Sequence, residues 1–352
     1  MRADAYVLSI PGRPLERKSI SIGDVTADDA VVEVEACGLC HTDLGFARGD
    51  VAPKHALPLV LGHEIVGRVV TARGSFERLL GRRVLVPAVL PCGACPFCRA
   101  GRGNACPSQR MPGNDIDGGF ASHVLVPAAP LVPIDDAPAS VDPRELSVVA
   151  DAVSTGYQAV RRAGVAKDDL AIIVGAGGVG GYTAQIAHAL GARVIAIDVS
   201  EAKLAALSHR GVDRTLTVGQ KAPKEVRREV HEIIRPWSTP SLNHRIFECS
   251  GTTEGQAIAF ALLGPAATMV QVGYTAKPLE LRLSNLMAFD ATVHGTWGCP
   301  PDAYPSVLGL VYAGKVKLGP FVEHAAMSRI NELLGDMAGH RLEKRIILDP
   351  RI

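Results

Sequence analysis

The sequence has no excess of charge of either sign and no long hydrophobic run. Its 352 residues include 37 Lys and Arg against 36 Asp and Glu, without a dense Lys/Arg segment. Nucleic acids and anionic membrane surfaces are bound by concentrated positive charge, which this chain lacks. The first apolar piece is broken by Pro11 and Gly12, so it fits neither a signal peptide nor a spanning helix. We expect a cytoplasmic protein that binds a small molecule, with no nucleic-acid or membrane partner.

Repeats and low-complexity segments are also absent from the sequence, so a solenoid is not expected. A chain of this length, with 47% hydrophobic and 21% charged residues, is too long for one ordinary core and predicts two domains. Residues 1–150 contain short β segments such as AVVEVEAC, EIVGRVV and RRVLVPAVL, with almost no helical periodicity. We predict a mostly-β domain in this half.

From Asp151 onward, helix and strand patterns alternate. LAIIVGA, VGGYTAQIAHALG and RVIAIDV read as strand, helix and strand, the order typical of a parallel sheet with crossover helices. The tail LGDMAGHRLEKRIILDP predicts a helix and a closing strand. The predicted class is therefore α/β, with a doubly wound parallel-sheet domain at 151–290 and a return to the first domain at 291–352.

Four cysteines lie within one glycine-rich loop, PCGACPFCRAGRGNAC. Cys92, Cys95, Cys98 and Cys106 have the spacing of a tetrahedral zinc site, and four thiolates leave no open position for a substrate. We therefore predict a structural zinc. Unrelated thiols or a redox pair are the alternatives.

A second metal site is indicated by CGLCHTDL and LGHEIVGRVV. Cys40 offers a thiolate and His63 an imidazole, but a catalytic zinc takes three protein ligands and keeps one position open. A third ligand must therefore come from elsewhere in the chain.

The segment IIVGAGGVGGYTAQIA follows a strand pattern and opens a helix. Its glycines have the spacing that admits a pyrophosphate close to the backbone and to the helix N-terminus. Asp198, at the end of RVIAIDV, is placed to accept hydrogen bonds from a ribose and to repel a 2′-phosphate. We predict a site for NAD rather than NADP; a glycine turn that binds nothing is the alternative. The predicted loop residues are Gly175, Gly177, Gly178, Val179 and Gly180.

These motifs, together with DGGFASH at 117–123, occur in the order and spacing of the zinc-dependent medium-chain alcohol dehydrogenases, which the chain resembles over nearly its whole length. The resemblance implies a GroES-like catalytic domain, a Rossmann domain, NAD, a catalytic zinc and a structural zinc. It also implies a homodimer or homotetramer.

The resemblance assigns roles around the catalytic zinc. The third ligand would be Asp151, where many members have Cys; the alternative is that Asp151 only caps the following helix. Thr42 would accept the proton of the substrate, Asp43 would orient His63, and Glu64 would approach the zinc or support its ligands. Many members then pass the proton to a histidine, but this chain has Gly45 at that position. His41 and His55 are the candidates for its replacement.

Four further cofactor contacts follow from the resemblance alone. His41 and Arg345 fall where the family contacts the pyrophosphate, and the backbone of Val272 and Gly273 falls beside the nicotinamide. Each of these could instead be a solvated or packing residue.

A finer resemblance concerns the substrate. ECSGTTEGQ, QRMPGNDIDGGFASH, HTDLGFARG, ELSVVADAVSTGYQAV and LRLSNLMAFDATVHGTWGCPPDAYP are similar to segments of the 6-hydroxycyclohex-1-ene-1-carbonyl-CoA dehydrogenases of anaerobic benzoyl-CoA degradation, a route of aromatic catabolism. The implied substrate is a cyclic hydroxyacyl-CoA. Two alternatives stay open: a dehydrogenase of a free secondary alcohol or polyol, and a non-catalytic nicotinamide-binding protein.

Overall fold

A computed structural model describes residues 1–208, 210–237 and 243–350. The strands in these ranges are β1 (Arg2–Leu8), β2 (Glu16–Ser21), β3 (Asp29–Gly38), β4 (Leu59–Val60), β5 (Glu64–Ala72), β6 (Arg83–Val86), β7 (His123–Pro127), β8 (Val132–Pro133), β9 (Leu170–Val174), β10 (Arg193–Asp198), β11 (Arg214–Thr217), β12 (His244–Glu248), β13 (Thr268–Gln271), β14 (Thr292–Gly295), β15 (Val322–Ala326) and β16 (Arg345–Asp349).

The α-helices in the same ranges are α1 (His41–Arg48), α2 (Pro96–Arg99), α3 (Ala152–Ala163), α4 (Gly178–Ala189), α5 (Glu201–Leu207), α6 (Pro223–Ile234), α7 (Thr253–Ala261), α8 (Ser284–Phe289), α9 (Tyr304–Tyr312) and α10 (Ile330–Ala338). The chain forms two compact units. The first contains Met1–Ser154, Gly298–Tyr312 and Phe321–Ile352, and the second contains Thr155–Trp297 and Ala313–Pro320.

The first unit is built on two sheets. A seven-stranded sheet has the order β15-β16-β3-β5-β6-β8, with β7 also paired to β3, and a smaller sheet has the order β2-β1-β4. β3 and β5 are antiparallel, with Gly38 opposite Glu64. The chain leaving β3 and the chain entering β5 therefore lie side by side, and this places the CGLCHTDL and LGHEIV motifs next to each other.

The second unit is a six-stranded sheet with the order β11-β10-β9-β12-β13-β14, and all of its strand pairs are parallel. β9 has the sequence LAIIV and is buried throughout, as a central strand covered on both faces should be. Its neighbours β10 and β12 end at the same edge, so the loops after β9, β10, β12 and β13 collect there. The predicted doubly wound sheet is confirmed.

The unit boundaries have identifiable physical causes. β14 pairs with β13 and so keeps the chain beyond residue 290 in the parallel sheet. Segment 313–320 belongs to the second unit because the buried side chain of Gln185 on α4 bonds to both main-chain groups of Lys317, accepting from N at 2.8 Å and donating to O at 3.3 Å. The mostly-β first half also contains α1, which its sequence periodicity did not predict.

Candidate active site and metal centres

Three predicted ligands converge in the first unit. Cys40 directly precedes α1, His63 directly precedes β5, and Asp151 directly follows the 3-10 turn Glu145–Ala150. Their ligand atoms all lie within 4.8 Å of one another. Asp151 Oδ2 lies 3.5 Å from His63 Nε2 and 3.9 Å from Cys40 Sγ. One carboxylate oxygen of Asp151 is thus directed at the other two candidate ligands.

The donor set fits zinc. His63 is 1% exposed. Its Nδ1 faces Asp43 and its Nε2 faces Asp151, but within the described part of the chain neither contact has the geometry of a full hydrogen bond. Leaving such a nitrogen buried and unsatisfied is unfavourable, and a metal ion satisfies the nitrogen that it binds. Zinc bonds of about 2.0–2.2 Å to nitrogen and oxygen place tetrahedral ligand atoms about 3.4 Å apart, close to the spacing of His63 and Asp151. Three protein ligands leave a fourth position for a substrate oxygen.

Asp43 supports this candidate zinc site through hydrogen bonds to the backbone on both sides of it. It is fully buried, and its two oxygens accept hydrogen bonds from the amides of Cys40 at 2.9 Å and Gly62 at 3.1 Å. Its Oδ1 also lies 3.3 Å from His63 Nδ1. Burial alone would lower the pKa of His63, but the charge of Asp43 and the adjacent Asp151 raise that pKa well above its ordinary value. The electrostatic field therefore favours positive charge at this site.

Glu64 is bonded at both oxygens. Oε1 accepts from the amide of Ala152, the first residue of α3, at 2.9 Å, and Oε2 accepts from Nε of Arg345 at 2.7 Å. Burial raises the pKa of Glu64, and the charge of Arg345 opposes that shift. The structure thus gives Glu64 a supporting role next to His63. Arg345 is directed at Glu64 within the first unit, and its contact with pyrophosphate stays a prediction.

The start of α1 carries the residues predicted for proton transfer. Thr42 is exposed, and its Oγ1 lies 3.7 Å from Cys40 Sγ. A Cβ on Gly45 would meet nothing within 4 Å, so close packing at the Cβ does not require glycine at the position of the missing relay histidine. His41 and His55 are both exposed, and their predicted roles stay predictions.

The cysteine quartet is assembled by the short helix α2 and the loop around it. Sγ distances are 3.4 Å from Cys95 to Cys98, 3.5 Å from Cys92 to Cys106, 3.7 Å from Cys95 to Cys106 and 3.9 Å from Cys92 to Cys98. A tetrahedral ion with metal–sulfur bonds of about 2.3 Å places its sulfur ligands about 3.8 Å apart. The geometry fits a closed zinc site.

The electrostatics of the quartet favour a bound cation. Hydrogen bonds from the amides of Ala94 and Cys95 lower the pKa of Cys92 to about 6. Burial and the adjacent Cys95 raise the pKa of Cys98 to about 12. Four clustered thiols cannot all ionise without an opposing charge, and a bound zinc ion supplies that charge.

The glycine loop of the second unit has the geometry predicted for a dinucleotide site. β9 ends at Val174, Gly175 adopts φ +96°, and α4 begins at Gly178 after the N-cap Gly177. A Cβ on Gly180 would lie 1.8 Å from the carbonyl oxygen of Gly175. Only glycine permits this close turn before α4, and the first amides of a helix have no partner within that helix, so they can bind an anion. Val179 lies in the same first turn.

Asp198 ends β10 beside this loop. Its Oδ2 accepts from the amide of Ala176 at 2.6 Å, and its Oδ1 accepts from the amide of Ser200 at 2.8 Å. A carboxylate oxygen has two lone pairs, so each can still accept a bond from a ribose hydroxyl. The acid predicted from the spacing is therefore anchored at the correct edge of the sheet.

Val272 and Gly273 follow β13 at the same edge. Their amides both donate to the carbonyl oxygen of Glu248, each at 2.9 Å. Glu248 itself was not predicted from the sequence, although a charged residue directly after the apolar pair Ile246 and Phe247 is a recognisable pattern. Its side chain is fully buried.

Comparison with known proteins agrees with these features. Residues 26–136 match the family model described as alcohol dehydrogenase GroES-like domain, and residues 178–313 match zinc-binding dehydrogenase. An alcohol dehydrogenase of Geobacillus stearothermophilus is 30% identical over 339 residues, covering 96% of each chain. L-galactonate-5-dehydrogenase of Escherichia coli K12 is 28% identical over 84% of each.

Two solved structures show the same architecture. Galactitol-1-phosphate dehydrogenase from Escherichia coli has 25% identity and a TM-score of 0.86, covering 99% of this chain and 100% of its own. The alcohol dehydrogenase of Aeropyrum pernix has 26% identity, the same TM-score and the same coverage.

The fold and the two metal centres define a zinc-dependent oxidoreductase that uses a nicotinamide cofactor. The chain belongs to the zinc-dependent medium-chain alcohol dehydrogenases. It is an NAD-dependent alcohol or polyol dehydrogenase that acts on a small molecule, with zinc and NAD as cofactors. The family resemblance and fold class inferred from the sequence are confirmed. Within the described residues, no helix is long and apolar enough to span a bilayer.

Proposed function

We propose that the enzyme oxidises 6-hydroxycyclohex-1-ene-1-carbonyl-CoA to the 6-oxo compound with formation of NADH, in anaerobic benzoyl-CoA degradation. The convergence of Cys40, His63 and Asp151 supports the alcohol chemistry. The five sequence segments shared with dehydrogenases of this thioester support the substrate. They come from both compact units.

Each residue of the candidate site has a role in this reaction. Cys40, His63 and Asp151 would hold the zinc. When bound, zinc lowers the pKa of a coordinated alcohol toward neutrality. Thr42 Oγ1 would accept the hydroxyl proton of the substrate while it releases its own proton toward solvent, to which Thr42 is exposed. Asp43 would fix the orientation of the His63 ring.

NAD is the proposed oxidant because of Asp198. Its carboxylate accepts bonds from the adenosine ribose and repels the 2′-phosphate of NADP. The amides at the start of α4, in the loop Gly175–Gly180, are the donors proposed for the pyrophosphate.

A CoA thioester also requires cations that bind the phosphates of its CoA group. Arg48, Lys54 and Arg110 lie close in sequence to the site motifs and are exposed. Arg48 lies 3.5 Å from Asp50, and Lys54 lies 3.4 Å from Asp115. The Arg48–Asp50 pair is exposed and therefore weak. Lys54 is itself exposed, although Asp115 is only 15% exposed, so both cations are accessible to a phosphate.

Oxidation of a free secondary alcohol or polyol is the second candidate. It is supported by the named relatives, which include a galactonate dehydrogenase and a galactitol-phosphate dehydrogenase. In this alternative the zinc, NAD and proton-transfer roles are unchanged, and only the substrate differs.

The deciding experiment is NADH formation with 6-hydroxycyclohex-1-ene-1-carbonyl-CoA, compared with its free acid, cyclohexanol, L-galactonate and galactitol 1-phosphate. We expect kcat/KM for the thioester to exceed every other value by at least about a hundredfold, since phosphate and thioester contacts would each contribute to binding. Equal or higher rates with a free alcohol or polyol would exclude the thioester assignment and favour the second candidate.

We also propose a cytoplasmic homodimer or homotetramer. The thiolates of the quartet require a reducing compartment. β14 is an edge strand of the parallel sheet, and Leu283, Met287, Val293 and Trp297 near it are exposed. Exposed apolar residues beside an open strand edge favour self-association. A molar mass of one chain, 37.0 kDa, by light scattering would contradict an oligomer.

A further inference from the structure

Glu248 is a buried carboxyl group at the end of β12. It is 0% exposed, and within the described ranges no Lys, Arg or His forms an ion pair with it. Burying a carboxylate is unfavourable unless its oxygens are hydrogen bonded. The arrangement of its donors therefore indicates what the residue does.

One oxygen of Glu248 holds the loop after β12. Oε1 accepts from the amide and the hydroxyl of Ser250, at 2.8 and 2.5 Å, and from the amide of Gly251 at 3.2 Å. The Ser250 hydroxyl lies 3.0 Å from that of Thr252, which in turn caps α7 by accepting from the amide of Gly255 at 3.0 Å. A single oxygen thus fixes the loop up to the first turn of α7.

The other oxygen holds the loop after β13. Oε2 accepts from Nε2 of Gln271 at 2.7 Å, and the same Nε2 also donates to the carbonyl oxygen of Gly273 at 2.7 Å. The two loops are in direct contact, since a Cβ on Gly273 would lie 2.3 Å from the amide nitrogen of Gly251.

The same network reaches the glycine turn after β9. A Cβ on Gly175 would lie 2.6 Å from the amide nitrogen of Ser250, and the amide of Cys249 donates to the carbonyl oxygen of Val174 at 2.7 Å. The turn after β9 therefore contacts the loop after β12, which the side chain of Glu248 holds.

We propose that Glu248 is a positioning residue of the dinucleotide site. Its carboxylate acts only as an acceptor: it fixes the peptides at 250–251 directly and the carbonyl group of Gly273 through the side chain of Gln271. The segment held in this way, 271–273, includes Val272 and Gly273, the backbone expected beside the nicotinamide. The proposal depends on NAD binding and not on the thioester substrate, so failure of either leaves the other standing.

The test is NADH affinity, measured by fluorescence titration of the zinc-loaded protein. In Glu248→Gln the new amide meets the amide of Gln271, and Gln271 cannot turn its oxygen inward without losing its bond to Gly273. We expect the Kd for NADH and the KM for NAD to rise roughly tenfold, as for loss of a hydrogen bond to a charged group. The KM for the alcohol and the zinc content should not change.

A second variant tests the same contact from the other side. Gln271→Met keeps the volume and removes the donor, and we expect a similar rise in the Kd for NADH. Both substitutions break the same network, so their effects should not add. The double variant Glu248→Gln/Gln271→Met should have a Kd for NADH no higher than that of the single variant with the higher Kd. This pair also keeps the proposal testable if Glu248→Gln fails to fold.

Asp169→Asn is the matched control. Asp169 is also a buried carboxylate of the second unit, but it lies before β9 and accepts from Arg245 Nε at 3.1 Å and Asn243 Nδ2 at 3.0 Å. Its substitution should lower thermal stability without changing the Kd for NADH. The proposal is overturned if the Kd for NADH changes less than twofold in both Glu248→Gln and Gln271→Met, if Asp169→Asn raises it equally, or if the double variant is additive.

Discussion

Asp198 shows how a single residue combines anchoring and recognition. The amides of Ala176 and Ser200 bond its two oxygens at 2.6 and 2.8 Å. These bonds fix the carboxylate next to the glycine turn, so its direction does not depend on the cofactor. An acid held in this way discriminates by charge against a phosphate.

Asp198→Ala should weaken NAD binding and improve the relative use of NADP. The variant would lose the carboxylate and with it the proposed bonds to the ribose, and we expect the KM for NAD to rise roughly tenfold to a hundredfold. The ratio of kcat/KM for NAD to that for NADP should fall by at least as much, because the repulsion of the 2′-phosphate also disappears. Steady-state kinetics with both cofactors measures this change.

Asp213→Ala is the control for the same strand. Asp213 Oδ2 accepts from the amide of Val194 at 2.7 Å, near the opposite end of β10. It should change stability and leave cofactor preference unaltered. An unchanged NAD/NADP ratio in Asp198→Ala would exclude the assignment of Asp198.

Residues in contiguous motifs were predictable from their spacing, whereas pairs distant in the sequence were not. The grouping of Asp151 with Cys40 and His63 was predicted from the family resemblance and not from spacing. The quartet and the glycine turn lie within short segments whose spacing alone fixes their geometry. The bond of Glu64 to Arg345 joins residues 281 positions apart, and the partners of Glu248 come from separate loops. No spacing rule identifies such pairs, because the sheet order that joins them is a property of the fold.

At the scale of elements, helix α9 supports the turn that carries Asp151. Tyr304, at the start of α9, is fully buried; its hydroxyl donates to the carbonyl oxygen of Ala150 at 2.5 Å and accepts from Ser154 Oγ at 3.2 Å. The two residues bonded to this hydroxyl, Ala150 and Ser154, lie on either side of Asp151 in the sequence. The position of one candidate zinc ligand therefore depends on an element about 150 residues further along the chain.

Tyr304→Phe should destabilise this turn. Removing the hydroxyl leaves two buried polar atoms without that partner, and we expect a loss of about 1–2 kcal/mol in the free energy of unfolding. Zinc retention at the site of Asp151 should fall as well. Denaturant unfolding and metal analysis after dialysis against a weak chelator measure the two effects.

Tyr312→Phe on the same helix provides the comparison. The Tyr312 hydroxyl is buried and has no hydrogen-bond partner within the described residues, so its removal should cost little. If both variants lost equal stability, or if Tyr304→Phe retained zinc like the wild type, the supporting role of Tyr304 would be wrong.

Helices α1 and α9 are among the elements that sequence periodicity did not reveal. α1 has only eight residues and begins after Cys40, and cysteine is not among the preferred N-cap residues. Its stability comes from the carboxylate of Asp43 bonding back to the Cys40 amide. By contrast, β9, β10 and α4 were predictable because their apolar residues are nearly uninterrupted and because glycines mark the turn between β9 and α4.

At the scale of the whole molecule, the two metal centres are built from different segments of the first unit. The quartet uses only residues 92–106, whereas the other site joins the ends of β3, β5 and the turn before α3. Neither centre uses a ligand of the other. Metal binding at each should therefore be separable by substitution.

His63→Ala should abolish turnover and remove the zinc of the Cys40, His63 and Asp151 site, while the quartet keeps its own zinc.

Cys106→Ser should do the opposite. The quartet zinc should be lost and thermal stability should fall, because a closed thiolate site contributes directly to folding. Elemental analysis should give one zinc per chain in each variant and two in the wild type. NADH affinity should be retained in Cys106→Ser, since the glycine turn and Asp198 belong to the second unit. Simultaneous loss of both zinc ions in His63→Ala would show that the centres are coupled, and the separate assignment of a catalytic and a structural site would then fail.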